Sequence, residues 1–346
     1  MSSIMEMPEL VMENIIWFSD FRSVLKLRQV CRKFRDFIDD LNDSKLPDSK
    51  FANIEVISKK DENEITLFLV EPKDSHRSFH SIEYSESENS RSFNEKITNL
   101  GNSNIVDVAI RDLEWVLKFQ KSNLNRLHFE FDDFQLQNDS SLYTLPFKLS
   151  NMLNVSGRKI KTRELSIKTY NKSHIMSILP FADSETLKTL DFCSFDPEME
   201  IEIDEIAKTE QWKKANTLKC DFHLLNLNVE DICHFSSIDL KVDSITAGDL
   251  DFLRKAYISS SNFERLRFDL KLFNEQVELS NIWGPAFDSQ LAIIWYFRIK
   301  DSEEKVLRIE IFYYNMIPRV YYATCFSIIE LRSVLNGAIL HDYNEN

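Results

Sequence analysis

The chain has 346 residues, enough for two or three domains, and its formal net charge at pH 7 is −14. An acidic surface repels phosphate groups, so we expect neither nucleic acid nor an anionic membrane as a partner. The five cysteines are odd in number and irregularly spaced, which predicts reduced thiols and a cytoplasmic or nuclear location. The N-terminus lacks a basic region, and the longest strongly apolar run, 291–297, is too short to span a bilayer, so we expect no signal peptide and no membrane helix.

Residues 8–41 have helical periodicity. Pro8 suits a first helical position, because it has no N–H to leave unsatisfied there. Asp20 offers a new N-cap, after which apolar residues recur at steps of three and four. No acidic residue lies between Arg22 and Arg35, so this stretch is strongly basic.

The next segment changes period. Alternating apolar residues predict three short strands over 53–84, joined by polar loops. The stretch rich in serine, glutamate and asparagine at 85–94 predicts an exposed loop. Helical spacing then returns over 105–120.

A loose repeat occupies the middle of the chain. Short strand-like segments recur at irregular intervals, with helical patterns between some of them at 175–181, 204–215 and 246–259. The last of these opens with Thr246 and Asp249 in a capping-box arrangement. Strands and helices that alternate in this way predict an irregular α/β solenoid similar to leucine-rich repeats. The apolar anchors of the strands are Leu127, Leu165, Leu190, Leu218, Ile238 and Leu266.

The C-terminal part has a third pattern. Alternation over 291–299, 306–314 and 319–325 predicts antiparallel strands, the first two joined by a turn at 301–304. A short helix is predicted over 327–336.

The N-terminal helical segment strongly resembles the F-box. Met7 stands in place of the family's usual Leu, and Phe34 in place of its common Trp, so both departures keep apolar bulk. The family fold also implies a break between the second and third helices near Val30, which the periodicity alone does not show. The resemblance is carried by residues 7–9 (Met-Pro-Glu), by the apolar pair Ile15 and Ile16, and by residues 27–32 (Leu-Arg-Gln-Val-Cys-Arg).

The resemblance implies that this region docks on a Skp-type adaptor, which is attached to a cullin. The basic residues from Arg22 to Arg35 would complement an acidic adaptor and speed the encounter. Some apolar residues of so small a domain must instead hold its helices together, and the sequence does not say which. The candidate adaptor-binding residues are Met7, Pro8, Leu10, Val11, Ile15, Ile16, Leu25, Leu27, Val30, Cys31 and Phe34.

The middle of the chain resembles the FTH domain, which accompanies an F-box in the nematode F-box A family. The resemblance is carried by residues 177–180, 185–190 and above all 210–215, Glu-Gln-Trp-Lys-Lys-Ala, which is similar to that family's Gln-Trp-Lys-x-Ala motif. It covers most of 160–285. It implies binding of a substrate or another partner.

Two further groups of side chains have a structural and a functional interpretation. Cys220, His223, Cys233 and His234 are a weak metal-like cluster. Strand alternation places Cys220 and His223 on opposite faces, which favours a buried thiol and a surface histidine and no metal site. For Trp212 a core position is favoured over a partner-binding hot spot.

Together these features predict an α/β protein with a three-helix F-box at 1–46, a β-meander and helix at 47–123, the FTH or leucine-rich-repeat-like solenoid at 124–287, and antiparallel strands and a helix at 288–346. The function expected is that of a non-catalytic subunit that brings an unknown protein substrate to a cullin-based ubiquitin ligase. No nucleophile, base, metal set or cofactor motif is evident, so an enzyme is not expected. An alternative is an interaction scaffold whose F-box serves a non-degradative role.

The substrate-binding residues are unknown from sequence. A repeat architecture offers an extended concave surface, to which the polar residues of the strands would point. The residues placed there by alternation are Lys168, Asp191, Lys219, Asp221, Lys241 and Arg267.

Overall fold

The computed structural model describes residues 7–59, 61–72, 79–93, 96–132, 140–316 and 319–342. This part of the chain is mixed α/β, with three helices at the N-terminus. It divides into two compact units. Among the described residues, no helix combines the length and apolar content needed to cross a bilayer. Unit 1 comprises Met1–Ile167 and Ser173–Thr186, and unit 2 comprises Lys168–Lys172 and Leu187–Asn346.

The helices and strands are numbered in chain order. The helices are α1 (Glu9–Phe18), α2 (Phe21–Val30), α3 (Arg32–Asp40), α4 (Ile105–Phe119), α5 (Leu145–Ser156), α6 (Lys172–Ile178), α7 (Asp204–Ala207), α8 (Glu210–Lys214), α9 (Ala247–Ile258) and α10 (Gln276–Trp283). The strands are β1 (Asn53–Lys59), β2 (Glu64–Val70), β3 (Phe79–Ser85), β4 (Ser90–Phe93), β5 (Lys96–Asn99), β6 (Leu124–Phe131), β7 (Thr162–Thr169), β8 (Thr189–Ser194), β9 (Glu200–Glu202), β10 (Thr217–Leu225), β11 (Ser237–Val242), β12 (Arg265–Leu270), β13 (Phe287–Asp288), β14 (Ala292–Ile299), β15 (Ser302–Met316), β16 (Arg319–Glu330) and β17 (Leu340–His341).

Unit 1 contains an antiparallel meander whose first strand also pairs in parallel with a later strand. Strands β1 to β5 pair antiparallel with their sequence neighbours, and β1 also pairs parallel with β6. Helix α4 is joined to this sheet through the buried hydroxyl of Tyr84, which donates to Asp112 at 2.7 Å, while Arg91 Nε donates to the same carboxylate at 2.6 Å. A buried polar group needs such a partner, so this contact fixes the helix on the sheet.

Unit 2 contains parallel strands followed by antiparallel ones. Strand β10 lies between β8 and β11 in parallel register, and β12 follows β11. The predicted anchors Leu190, Leu218, Ile238 and Leu266 stand opposite one another and are buried. Strands β16, β15 and β14 then continue from β12 in antiparallel order. Four of the six predicted anchors therefore form one apolar row across the parallel strands of unit 2.

The predicted helix 246–259 is present as α9, with its capping box formed. The Thr246 hydroxyl accepts from the backbone N–H of Asp249 at 3.1 Å, and the Asp249 carboxylate accepts from the backbone N–H of Thr246 at 3.1 Å. The predicted helix 204–215 is instead two short helices, α7 and α8. Thr209 begins the second as its N-cap, because its side chain accepts from the backbone of Trp212.

Two predicted elements are wrong. The loop predicted over 85–94 contains β4, because the chain turns at Asn89, with φ 46°, and returns to pair with β3. The helix predicted over 327–336 is the end of β16 followed by a single 3₁₀ turn, Leu331–Ser333. Its apolar spacing serves a strand instead, since Ile329 pairs with Val306 and packs against the apolar cluster of this sheet.

Candidate functional site

The three N-terminal helices are separated by local backbone signals. Helix α1 begins after Pro8, and the Asp20 side chain caps α2 by accepting from the backbone N–H of Ser23 at 2.8 Å. Cys31 then adopts an extended conformation, with φ −158° and ψ 165°, and ends α2 before α3 begins. A single extended residue leaves no trace in the periodicity, which explains why only the family resemblance indicated this break.

The core of these helices is completed by α4, which lies outside them in sequence. Ile16 and Phe34 are buried at the centre of the cluster, and Phe119 of α4 is also fully buried in it. The Phe119 ring lies 5.0 Å from the ring of Phe21, and Trp115 packs on the same cluster. Three short helices bury little apolar surface alone, so α4 supplies what they lack.

An ion pair also connects α2 and α3. Arg28 of α2 donates two hydrogen bonds to the Asp39 carboxylate of α3, at 2.6 and 2.9 Å. Its guanidinium carbon also lies 4.2 Å from the centre of the Trp115 ring. The bidentate geometry fixes α2 against α3, and the stacking fixes both against α4.

The outer face of α1 carries an exposed apolar stripe, defined as Leu10, Val11, Trp17 and Phe18. These side chains are separated by one and seven residues, so they share one face of the helix, opposite the buried Ile16. Leu10 is 67% exposed and Phe18 is 83% exposed. Trp17 and Phe18 also line a cleft of about 720 Å³. Contiguous exposed apolar surfaces are common at protein-binding sites, so this stripe is a candidate site.

The structure separates the eleven predicted adaptor-binding residues by exposure. Ile16 and Phe34 are buried and serve the internal core, so they are not free to contact a partner. Three are half-buried, namely Ile15, Leu25 and Leu27. Six are exposed, namely Met7, Pro8, Leu10, Val11, Val30 and Cys31.

Sequence reasoning missed the two largest exposed apolar side chains of α1. Trp17 and Phe18 were not among the predicted residues, although their positions seven and eight residues after Leu10 place them on the same helical face. That spacing was the available signal. Val30 and Cys31 form a second exposed apolar group at the junction of α2 and α3.

The basic residues of this region fall into two groups. Arg22, Arg28 and Arg32 are already in ion pairs within unit 1. Lys26, Lys33 and Arg35 are exposed, and none of them pairs with another described residue. These three are therefore available to complement an acidic partner.

A second candidate surface is the polar face of the parallel strands in unit 2. Asp191, Lys219, Asp239 and Arg267 stand opposite one another on four neighbouring strands, so opposite charges alternate across the sheet. Burial raises the pKa of Asp239. Arg267 donates to both carboxylate oxygens of Asp269, at 3.0 and 3.3 Å. This row contains three of the six residues predicted to face a partner.

The other three predicted residues lie outside this row. Asp221 is exposed at the bulge of β10, and Lys241 stands opposite His223 on the next strand. The Lys168 ammonium lies 4.1 Å from the centre of the Phe195 ring, within unit 2. None of the six is fully buried.

The weak metal-like cluster is partly as predicted. Cys220 is buried, and burial raises the pKa of its thiol to about 12. The predicted surface histidine is wrong, because His223 is only 7% exposed, with its Nδ1 3.7 Å from Asp243 Oδ1. The bulge in β10 between Cys220 and His223 breaks the alternation, and β9 pairs with β10 from His223 onward. Within the described residues, no group of His, Cys, Asp or Glu is arranged to hold a metal.

Trp212 is a core residue, as the favoured interpretation predicts. It is 1% exposed, and its ring meets Phe235 edge-on at 5.2 Å. The indole N–H donates to the carbonyl of Asp231 at 2.8 Å, so its polar atom is satisfied inside the protein. A residue so placed anchors α8 to the sheet and offers no surface to a partner.

Comparison with known families gives two matches. A model of the F-box domain matches residues 4–46, and a model of the FTH domain matches residues 147–286. No curated protein and no solved structure matches the chain. The apolar stripe of α1 lies within the first match, and the polar face of the parallel strands lies within the second. Residues 4–46 therefore match the F-box domain and residues 147–286 match the FTH domain, which confirms both resemblances.

Proposed function

We propose that the chain is a non-catalytic substrate-recognition subunit of a cullin-based ubiquitin ligase. The observation that carries the proposal is the exposed apolar stripe of α1, which lies in the F-box match. F-box domains bind Skp-type adaptors within such ligases, and they do so through apolar contacts. A few large apolar side chains can dominate such an interface, because burying each contributes about 1.5–3 kcal/mol.

The attachment of the F-box within unit 1 supports a positioning role. The segment that follows α3 is tied to α4 rather than free, because the Ser49 N–H donates to the carbonyl of Phe119 at 3.0 Å and the Lys121 N–H donates to Asp48 at 3.0 Å. Lys118 Nζ also donates to the carbonyl of Asp39 at 3.0 Å. An F-box held in this way is fixed to the rest of unit 1, so a ligase scaffold that binds the F-box would also hold unit 1, while other subunits perform the transfer chemistry.

We propose that the FTH region is an irregular solenoid similar to leucine-rich repeats and that its polar strand face binds the substrate protein. The ladder from Leu190 to Leu266 supports the repeat, because its members are equivalent positions of successive parallel strands. Parallel strands usually have both faces covered by helices. A face with exposed Lys219 and Arg267 and alternating charge suits a partner with complementary charges.

The proposal is tested by co-purification of the full chain with a Skp-type adaptor. The variant Leu10→Asp/Phe18→Asp places two carboxylates in the apolar stripe, and both positions are exposed, so the fold should tolerate them. Burying two carboxylates in an apolar contact costs enough to abolish binding.

The matched control is Phe147→Asp/Val155→Asp, which changes two apolar side chains of α5 that are 76% and 79% exposed. We expect the adaptor to bind the wild type and this control and to fail on the stripe variant. Equal binding by both variants, or no binding by the wild type, would overturn the proposal and leave the interaction scaffold as the better account.

A further inference from the structure

A basic cleft of about 420 Å³ lies in unit 1, where the end of the F-box meets the C-terminus of α4 and the segment before β7. Among the described residues that line it, five are cationic and one is anionic. The cations are Lys118, Lys121, Arg158, Lys159 and Lys161, and the anion is Asp43.

The net charge of the residues that line the cleft is opposite in sign to the net charge of the whole chain. The protein as a whole carries −14, whereas the charged residues lining the cleft sum to +4. Cations that line a concave surface reinforce one another, because the low-dielectric walls concentrate their field in the cleft. The volume is within the range of small-ligand sites, about 300–1,000 Å³.

Three of the cations are only partly compensated by the protein. Arg158 and Lys118 share the carboxylate of Asp43, the latter at 3.9 Å, and Lys121 Nζ donates to the carbonyl of Ser44 at 3.0 Å. Burial lowers the pKa of Lys118, Lys121 and Arg158, which shows that desolvation of these charges exceeds the compensation they receive.

The remaining two cations lie at the mouth. Lys159 is exposed and donates to the carbonyl of Pro180 at 2.5 Å, and its ammonium forms no ion pair with a carboxylate of the described residues. Lys161 is exposed, and its side chain forms no hydrogen bond or ion pair with another described residue. Ser44, Gln120 and Ser122 add neutral polar side chains to the same wall.

We propose that this cleft binds a small ligand with at least two phosphate groups. Lys159 and Lys161 would contact it at the mouth, and Lys118, Lys121 and Arg158 would neutralise it from the inner wall. Lysine and arginine are the usual phosphate ligands, and several phosphate oxygens are needed to balance a charge of +4. The bound ligand would connect the last turn of the F-box match to the first part of the FTH match.

The test is calorimetric titration of the full chain with inorganic pyrophosphate, without divalent cations and at low salt. The variant Lys159→Gln/Lys161→Gln removes two exposed charges, so it should fold normally. The control Lys300→Gln/Lys305→Gln removes two exposed lysines from unit 2 and lowers the net charge equally. We expect one pyrophosphate per wild-type chain, an affinity at least tenfold weaker in the cleft variant, and no change in the control.

A second variant should raise the affinity for pyrophosphate instead of lowering it. Asp43→Asn removes the carboxylate that occupies Arg158 and Lys118, so pyrophosphate should bind several-fold more tightly, while Asp61→Asn, an exposed change elsewhere in unit 1, should not alter affinity. The proposal is overturned by a wild type that does not bind, by equal weakening in both lysine variants, or by an Asp43→Asn affinity that is unchanged or weaker.

Discussion

Phe119 should stabilise the F-box although it lies far outside the F-box match. Its ring is fully buried in the cluster formed with α1 to α3, 5.0 Å from Phe21 and 5.9 Å from Trp115. Replacing a buried phenylalanine by alanine costs about 3–5 kcal/mol through lost transfer free energy and the remaining cavity. Two aromatic contacts are lost as well, so we expect Phe119→Ala to fall in the upper half of that range.

The measurement is urea denaturation of Phe119→Ala and wild type, combined with hydrogen–deuterium exchange of α1 to α3. Phe147→Ala, at a 76% exposed position, is the control and should change the free energy of unfolding by no more than about 0.5 kcal/mol. We expect the three N-terminal helices to exchange faster in Phe119→Ala. A loss below about 1 kcal/mol, with unchanged exchange in these helices, would refute the view that α4 completes their core.

Two further predictions follow from buried ionisable groups. The exposed Cys31 should react with iodoacetamide at pH 8, whereas Cys220 should not, because burial raises the pKa of the Cys220 thiol to about 12. Mass spectrometry measures the labelling, and labelling of Cys220 before the protein unfolds would contradict this prediction. Asp251 has a lowered pKa because the hydrogen bonds it accepts, led by that from Lys255, outweigh the opposing effect of burial. Its carboxylate therefore stabilises the fold above the ordinary pKa of about 3.8, and this contribution is lost as pH falls through the lower folded value. We expect Asp251→Asn to lower the free energy of unfolding by about 3 kcal/mol at pH 7, because it leaves Arg254 buried without its partner. In thermal melts below pH 3.8 the difference in stability between the variant and the wild type should shrink. A difference that does not change with pH would contradict this prediction.

Repeating local signals allowed the mixed α/β class, the N-terminal helices and the parallel strands of unit 2 to be predicted. The ladder from Leu190 to Leu266 was readable because each parallel strand places one apolar residue at an equivalent depth, and Thr246 with Asp249 marked the start of α9. The short strand β4 could not be predicted from the sequence. Its residues are polar, and its place in the sheet depends on pairing with β3 rather than on its own composition.

Tertiary packing decided what the sequence could not settle in the candidate site. The resemblance implied the same adaptor-binding role for Ile16, Phe34 and Leu10, and only the cluster with Phe119 shows that the first two are internal and that Leu10 is exposed. His223 was misplaced for a similar reason, because a bulge in β10 cancels the alternation on which its exposure was predicted. Such features depend on contacts between residues distant in sequence.

Hydrogen–deuterium exchange of the full chain, with and without a Skp-type adaptor, tests the central claim most directly. Adaptor binding should protect the segment from Met7 to Phe18 and the junction at Val30 and Cys31, because these carry the exposed apolar side chains. The polar face of β10 to β12 should exchange at its original rate, since it is proposed to serve the substrate. Protection confined to that face, or no protection of α1, would contradict the account.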